Sequence, residues 1–145
     1  MKKTIISISV AIVVSFTIAT MPQTAGTQTA ATASTSNSLL YAIHQVESSG
    51  STKNNIIGDN GSAIGPLQIH YSCWFDATEY DKSIGGEYKD CFKLSCSKKI
   101  FLAYMQRYGK GKTIEQQARI WNGGPKGDKK SATIKYWEKV KGYLK

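Results

Sequence analysis

Between Lys99 and Tyr108, the residues Ile100, Phe101, Tyr104, Met105 and Tyr108 recur at three- and four-residue spacing, a period that gathers side chains on one face only in a helix. Gly109 follows as a natural C-cap, so this segment predicts the central core helix. Other elements must pack around it. Leu39, Ile43 and Val46 predict a helix from about Leu39 to Ser48, with Asn37 or Ser38 as N-cap and Gly50 beyond its end. Thr113 and Gln116 form a capping box ahead of Ala118 and Ile120, and Asn122-Gly123-Gly124-Pro125 stops that helix. Ile134, Trp137, Val140 and Leu144 predict one face of a terminal helix beginning near Ser131 or Thr133. Between these lies Gly58-Asp59-Asn60-Gly61, whose residues tolerate positive φ and suit a tight turn between two short strands. Gly65-Pro66 then reads as the opening of another helix through Leu67 to Phe75, and Asp76–Asp90 as loop. The fold class expected is α+β, mainly α, with a small β-hairpin beside a helical core. With 145 residues there is room for one ordinary domain. Three cysteines are too few for a disulfide-dense scaffold or a structural zinc site, so core packing has to supply most of the stability.

The chain opens differently. Lys2 and Lys3 precede an apolar run from Ile5 to Ala19, the pattern of a secretory signal and short for a bilayer span, which takes about 20 apolar residues. Residues 1–20 therefore read as a signal peptide, with cleavage possible after Ala25 or as late as Ala33, where Ala31-Thr32-Ala33 has the small-x-small pattern. Residues 21–37, rich in Ser, Thr and Ala, read as a flexible leader, and 38–145 as the functional domain. Export without a retained membrane anchor is the expectation. Of the 19 Lys+Arg, 17 remain without Lys2 and Lys3, against 10 Asp+Glu, so the exported part still carries a net +7.

The short acidic list can be searched by elimination. Glu115 suits a helix's first turn, Glu138 lies among lysines, and Asp128 sits within Lys126-Gly127-Asp128-Lys129-Lys130, all solvated settings. Asp76, Glu79, Asp81, Glu87 and Asp90 share one acidic stretch that reads as structural. Glu47 differs because it projects from the apolar stripe of the first helix near its C-terminal end. Desolvation and the negative end of the helix dipole both oppose its ionisation, which raises its pKa toward that of a general acid at neutral pH. Asp59, twelve residues on, could be folded back by the hairpin into a wetter setting and stay ionised. Two carboxylates with separated pKa values are what glycoside cleavage uses. Both residues also have plain readings, a helix-end glutamate swung into water and an Asp-Asn-Gly turn. His44 and His70 are the only imidazoles, and no Gly-x-Ser-x-Gly elbow accompanies them. Among Cys73, Cys91 and Cys96 one disulfide is expected, leaving one thiol free. No metal or cofactor is implied.

Val46-Glu47-Ser48-Ser49-Gly50, then Gly58-Asp59-Asn60-Gly61-Ser62 with Gly65-Pro66-Leu67-Gln68-Ile69, resembles the catalytic half of invertebrate-type (i-type) lysozymes. Ala103–Tyr108, Ala118–Gly127 and Ser131–Trp137 are similar to later motifs of that family in the same order. Glu-Ser-x-Gly alone is weak, since lytic transglycosylases share it, but the ordered set spans nearly all of Leu39 to Leu144. The resemblance implies a lysozyme-like fold that cleaves the β-1,4 link of peptidoglycan after N-acetylmuramic acid. Glu47 would be the acid and Asp59 the second carboxylate. Gln68, Ile69 and His70 and the turn of Asn122, Gly123, Gly124 and Pro125 match positions that wall the sugar cleft, with scaffold as the equal alternative, and Ser62 and Trp121 join them as candidate sugar contacts. This chain departs from the animal members in its few cysteines, none of them near Glu47. Trp121 also stands where the family usually has histidine, offering a stacking surface for a sugar.

The implied protein is a secreted, monomeric muramidase acting on bacterial cell walls, in an extracellular, periplasmic or digestive-vacuole setting. Its positive charge fits anionic walls, and no nucleic-acid module is present to explain it instead. The rivals are a lytic transglycosylase using Glu47 alone and a noncatalytic wall-binding module.

Overall fold

A computed structural model describes residues 25–144, with side-chain environments from residue 34 onward. The predicted signal peptide and the start of the leader lie outside the described residues. Among the described residues, five α-helices, α1 (Ala25–Ser48), α2 (Tyr71–Tyr80), α3 (Leu94–Tyr108), α4 (Ile114–Gly123) and α5 (Ile134–Lys141), accompany a small sheet. Its strands are β1 (Ile57–Gly58), β2 (Ala63–Ile64) and β3 (Ile69–His70). The mainly helical α+β class read from the sequence is the one found. No described helix is long and apolar enough to cross a membrane.

Helix α3 lies at the centre, burying Ile100, Phe101, Ala103, Tyr104 and Met105 and ending at Gly109. Against it pack Leu39, Ala42 and Ile43 of α1, Ala118 and Ile120 of α4, and Val140 of α5, all buried in one cluster. The α4 capping box is formed as expected: the Thr113 side chain accepts from the Gln116 N–H, and Gln116 Oε1 accepts from the Thr113 N–H.

Helix α1 begins at Ala25 rather than near Leu39, so much of the segment read as leader is helical. Ala25, Ala30, Ala31 and Ala33 have the highest helix propensity of any residue, and the apolar period beyond them only marks where the helix enters the core. The helix stops where expected. Ser49 and Gly50 both take positive φ, 53° and 72°, and their N–H groups return to the Gln45 and His44 carbonyls.

Three further readings are corrected. Pro66 does not open a helix, because Gln68 turns through a φ of 49° and Ile69 pairs with Ile64 across β2, so α2 starts only at Tyr71. The expected loop from Asp76 onward instead holds the second half of α2 and two 3-10 turns, Lys82–Ile84 and Tyr88–Phe92. On α5 the buried pair is Tyr136 and Val140, while Ile134 faces solvent. Thr133, just before α5, is also buried, its Oγ1 bonded to the Gly127 and Lys130 carbonyls and to Arg119.

The sheet is antiparallel in the order β1-β2-β3, with Ile57 opposite Ile64 and Ala63 opposite His70. Asp59, Asn60 and Gly61 take φ values of 48°, 52° and 97° in the turn after β1, the left-handed conformations that these residue types tolerate. Gly65 takes a φ of 75° directly beneath the 3-10 turn, where an added Cβ would stand 1.9 Å from the Cys91 carbonyl oxygen. No side chain fits there.

Candidate active site

Two anchors bring the end of α1 to the sheet. The Ser48 hydroxyl donates to the Pro66 carbonyl at 2.8 Å, and His44 Nε2 lies 2.8 Å from the Ser51 carbonyl. His44 is thus a structural tie. Between these anchors Glu47 is half-buried and turned toward the helical side of the molecule. The Tyr136 hydroxyl of α5 donates to Glu47 Oε1 at 2.6 Å, and the Trp121 side chain of α4 supplies a second hydrogen bond. Burial raises the Glu47 pKa to about 7 and outweighs those two hydrogen bonds and the nearby Lys139 charge, all of which favour the carboxylate. At neutral pH a large fraction of this group still holds its proton.

Tyr136 could not be assigned from the sequence, although its four-residue spacing from Val140 was visible there. Because its hydroxyl stabilises the ionised form of Glu47, Tyr136→Phe is expected to raise the Glu47 pKa further. The alkaline limb of activity should then move to higher pH while the fold is retained, as a pH–rate profile measured beside a thermal melt will show.

Asp59 lies on the sheet side. Its side chain is 65% exposed, and Oδ2 stands 3.4 Å from His70 Nε2. Glu47 and Asp59 keep separate partners. Gln68 lies beside Asp59, its amide filling the space next to Gly58 and donating to the Gly65 carbonyl. Ser62 is exposed just past the turn, and its carbonyl accepts from the Tyr88 hydroxyl.

The other proposed cleft residues divide. Ile69 is 1% exposed, so its side chain belongs to the core. Trp121 is half-buried with its ring set edge-on against Phe101 and Tyr104, at centroid distances of 5.2 and 5.9 Å, which makes it a neighbour of Glu47 more than an open platform. Asn122 is exposed at the end of α4, Gly123 lies against Thr133, and Gly124 closes the helix at a φ of 83°.

The remaining acids and thiols serve the scaffold. Asp76 sits on α2 and accepts from the Tyr108 hydroxyl, and Asp128, read as solvated, has a side chain only 6% exposed and paired with Lys112. The Lys112 ammonium holds Asp128 below the usual carboxylate range. The expected disulfide is not formed: Cys73, Cys91 and Cys96 are free, with Cys91 and Cys96 in hydrogen-bonding contact. Burial pushes the Cys73 and Cys91 thiols far up, which leaves neither a ready nucleophile.

Comparison with known proteins shows which family the chain resembles. The Destabilase family model matches residues 36–142. The chain is 33% identical to a lysozyme of Ostrea edulis over 78% of this chain and 84% of that one. It is 38% identical to Lysozyme 1 of Crassostrea virginica, covering 56% of this chain but only 45% of that longer protein. Among solved structures, the Tapes japonica lysozyme superposes with a TM-score of 0.60 at 34% identity, over 71% of this chain and 85% of that one. The Meretrix lusoria lysozyme, solved in complex with PliI of Aeromonas hydrophila, gives 0.61 at 33% identity, over 72% and 87%. With a matching family model over most of its length and i-type lysozymes as its structural neighbours, the chain belongs to the Destabilase family of invertebrate-type lysozymes.

Proposed function

We propose that this protein is a secreted, monomeric muramidase that hydrolyses the β-1,4 bond between N-acetylmuramic acid and N-acetylglucosamine in bacterial peptidoglycan. The observation that carries this reading is the carboxyl group of Glu47, held by Tyr136 and Trp121 with its pKa raised to about 7. A proton retained near neutrality at a fixed position is what protonation of a leaving glycosidic oxygen requires. Asp59, on the wet side of the site beside His70, is suited to attack or stabilise the sugar carbon. Glu47, having lost its proton, then takes one from the water that completes hydrolysis. Of the candidate cleft residues, Ser62, Gln68, His70, Asn122, Gly123 and Gly124 remain for holding the sugar. The net +7 that remains without Lys2 and Lys3 draws the protein to the phosphates and carboxylates of a wall, an attraction that weakens as salt rises.

One observation favours a second reading. Asp59 shares no partner with Glu47, so a lytic transglycosylase, in which a single glutamate serves as acid and then base, keeps a claim. Mass spectrometry of peptidoglycan fragments separates the two: reducing muramic ends mark hydrolysis and anhydro ends mark the rival. Under the carboxylate-pair mechanism, Asp59→Asn is expected to lower kcat/KM by about 100-fold or more. A variant that keeps the parent's rate would leave Glu47 acting alone.

A further inference from the structure

Beyond His70, helix α2 exposes more aromatic surface than its packing uses. Tyr71 is 57% and Phe75 49% exposed, and their rings lie within 22° of parallel with centroids 6.4 Å apart. They do not hang free. Tyr71 meets Trp74 at 5.3 Å and Tyr88 edge-on at 5.5 Å, and the Tyr88 hydroxyl donates to the carbonyls of Ile69 and Ser62, at 2.7 and 3.2 Å. One bonded ring therefore joins the aromatic group to β3 and to the turn that carries Asp59. Helix α2 packs on α3 and β3, whereas the partners of Glu47 come from α4 and α5, so the rings adjoin the Asp59 side of the site.

We infer that Tyr71 and Phe75 form an outlying sugar platform, on which glycan residues beyond those at the cleavage point lay their C–H faces. The inference rests on the muramidase reading and names a substrate contact additional to it. Tyr71, held by Tyr88 and Trp74, and Phe75, set against Tyr71, lose little freedom when a sugar covers them, so the contact energy is kept. Two exposed rings one helical turn apart offer apolar ring surface to the C–H faces of pyranose rings rather than a pocket into which a protein side chain would insert. Continuity with His70 and Asp59 places a polymer already bound there within reach.

The test uses peptide-free glycan strands graded by length, with Tyr71→Ala, Phe75→Ala, the double variant and Tyr71→Phe. Both positions are exposed, and thermal melts will verify that the variants fold. For long strands the double variant should lose about tenfold in kcat/KM, while the shortest strand the parent cleaves is processed at the parent's rate and Tyr71→Phe behaves as parent. The same strands are titrated against Glu47→Gln protein by intrinsic fluorescence, with and without the alanine pair, and long strands alone should bind about tenfold more weakly to the combined variant. An equal loss at every length, or no loss at either readout, overturns the platform. So does sedimentation showing that the rings hold two copies of the chain together while glycan affinity is unchanged. If the parent cleaves no strand, the muramidase reading falls and the binding titration still judges the platform.

Discussion

Glu47→Gln is expected to lower hydrolysis of peptidoglycan by about a thousandfold, the scale of losing a positioned general acid, and at the same time to make the protein more stable above neutral pH. The amide oxygen of glutamine can still accept from Tyr136, so the site keeps its shape while the transferable proton is gone. The stability half follows from linkage. In the unfolded chain Glu47 titrates near 4.5 and in the folded one near 7, so between those values the folded state binds more protons and loses stability as pH rises. A displacement of that size corresponds to about 3 kcal/mol, present in full below the lower value and lost above the upper one. Parent and variant should therefore melt together near pH 4 and separate progressively toward pH 8, with the variant higher. Turbidity clearance and melting curves across that range check both halves. An active glutamine variant would remove Glu47 from the chemistry, and parallel melting curves would remove the buried-acid account.

The second large effect is structural. Gly65→Ala is expected to destabilise the fold by about 3 to 5 kcal/mol, and to lower Tm by about 10 to 20 °C, because two penalties coincide at one position. The φ of 75° is strained for any residue with a Cβ, and that Cβ would stand 1.9 Å from a backbone oxygen of Cys91, which cannot swing aside as a side chain could. The strap from Gly65 to Gln68 carries the Pro66 carbonyl that receives Ser48, so activity at permissive temperature should fall as well. Denaturant melts of the parent and of Gly61→Ala, where φ is 97° but the space is open, separate strain from collision.

Local patterns in the chain foretold what local physics decides. The period of α3, the capping box of α4 and the left-handed turn at Asp59–Gly61 are each settled within a few residues, and each was found in place. Glu47 was legible for the same reason, since a charged residue in an apolar stripe at a helix end is a local contradiction. What could not be read is what depends on pairing at a distance. Ile69 and His70 became a strand because β2 was there to receive them, against the helix that Pro66 suggested. Tyr136 owes its role to a bond across most of the chain, and Trp121 turned inward because Phe101 and Tyr104 offered edges to its ring.

That bond also sets an order of assembly. Glu47 precedes by 89 residues the hydroxyl that grips it, which belongs to Tyr136 within α5. A chain still emerging, or one clipped before α5, holds its acid without that clasp and with the neighbouring core open to water. The surroundings of the acid are therefore complete only once α5 has docked on α1.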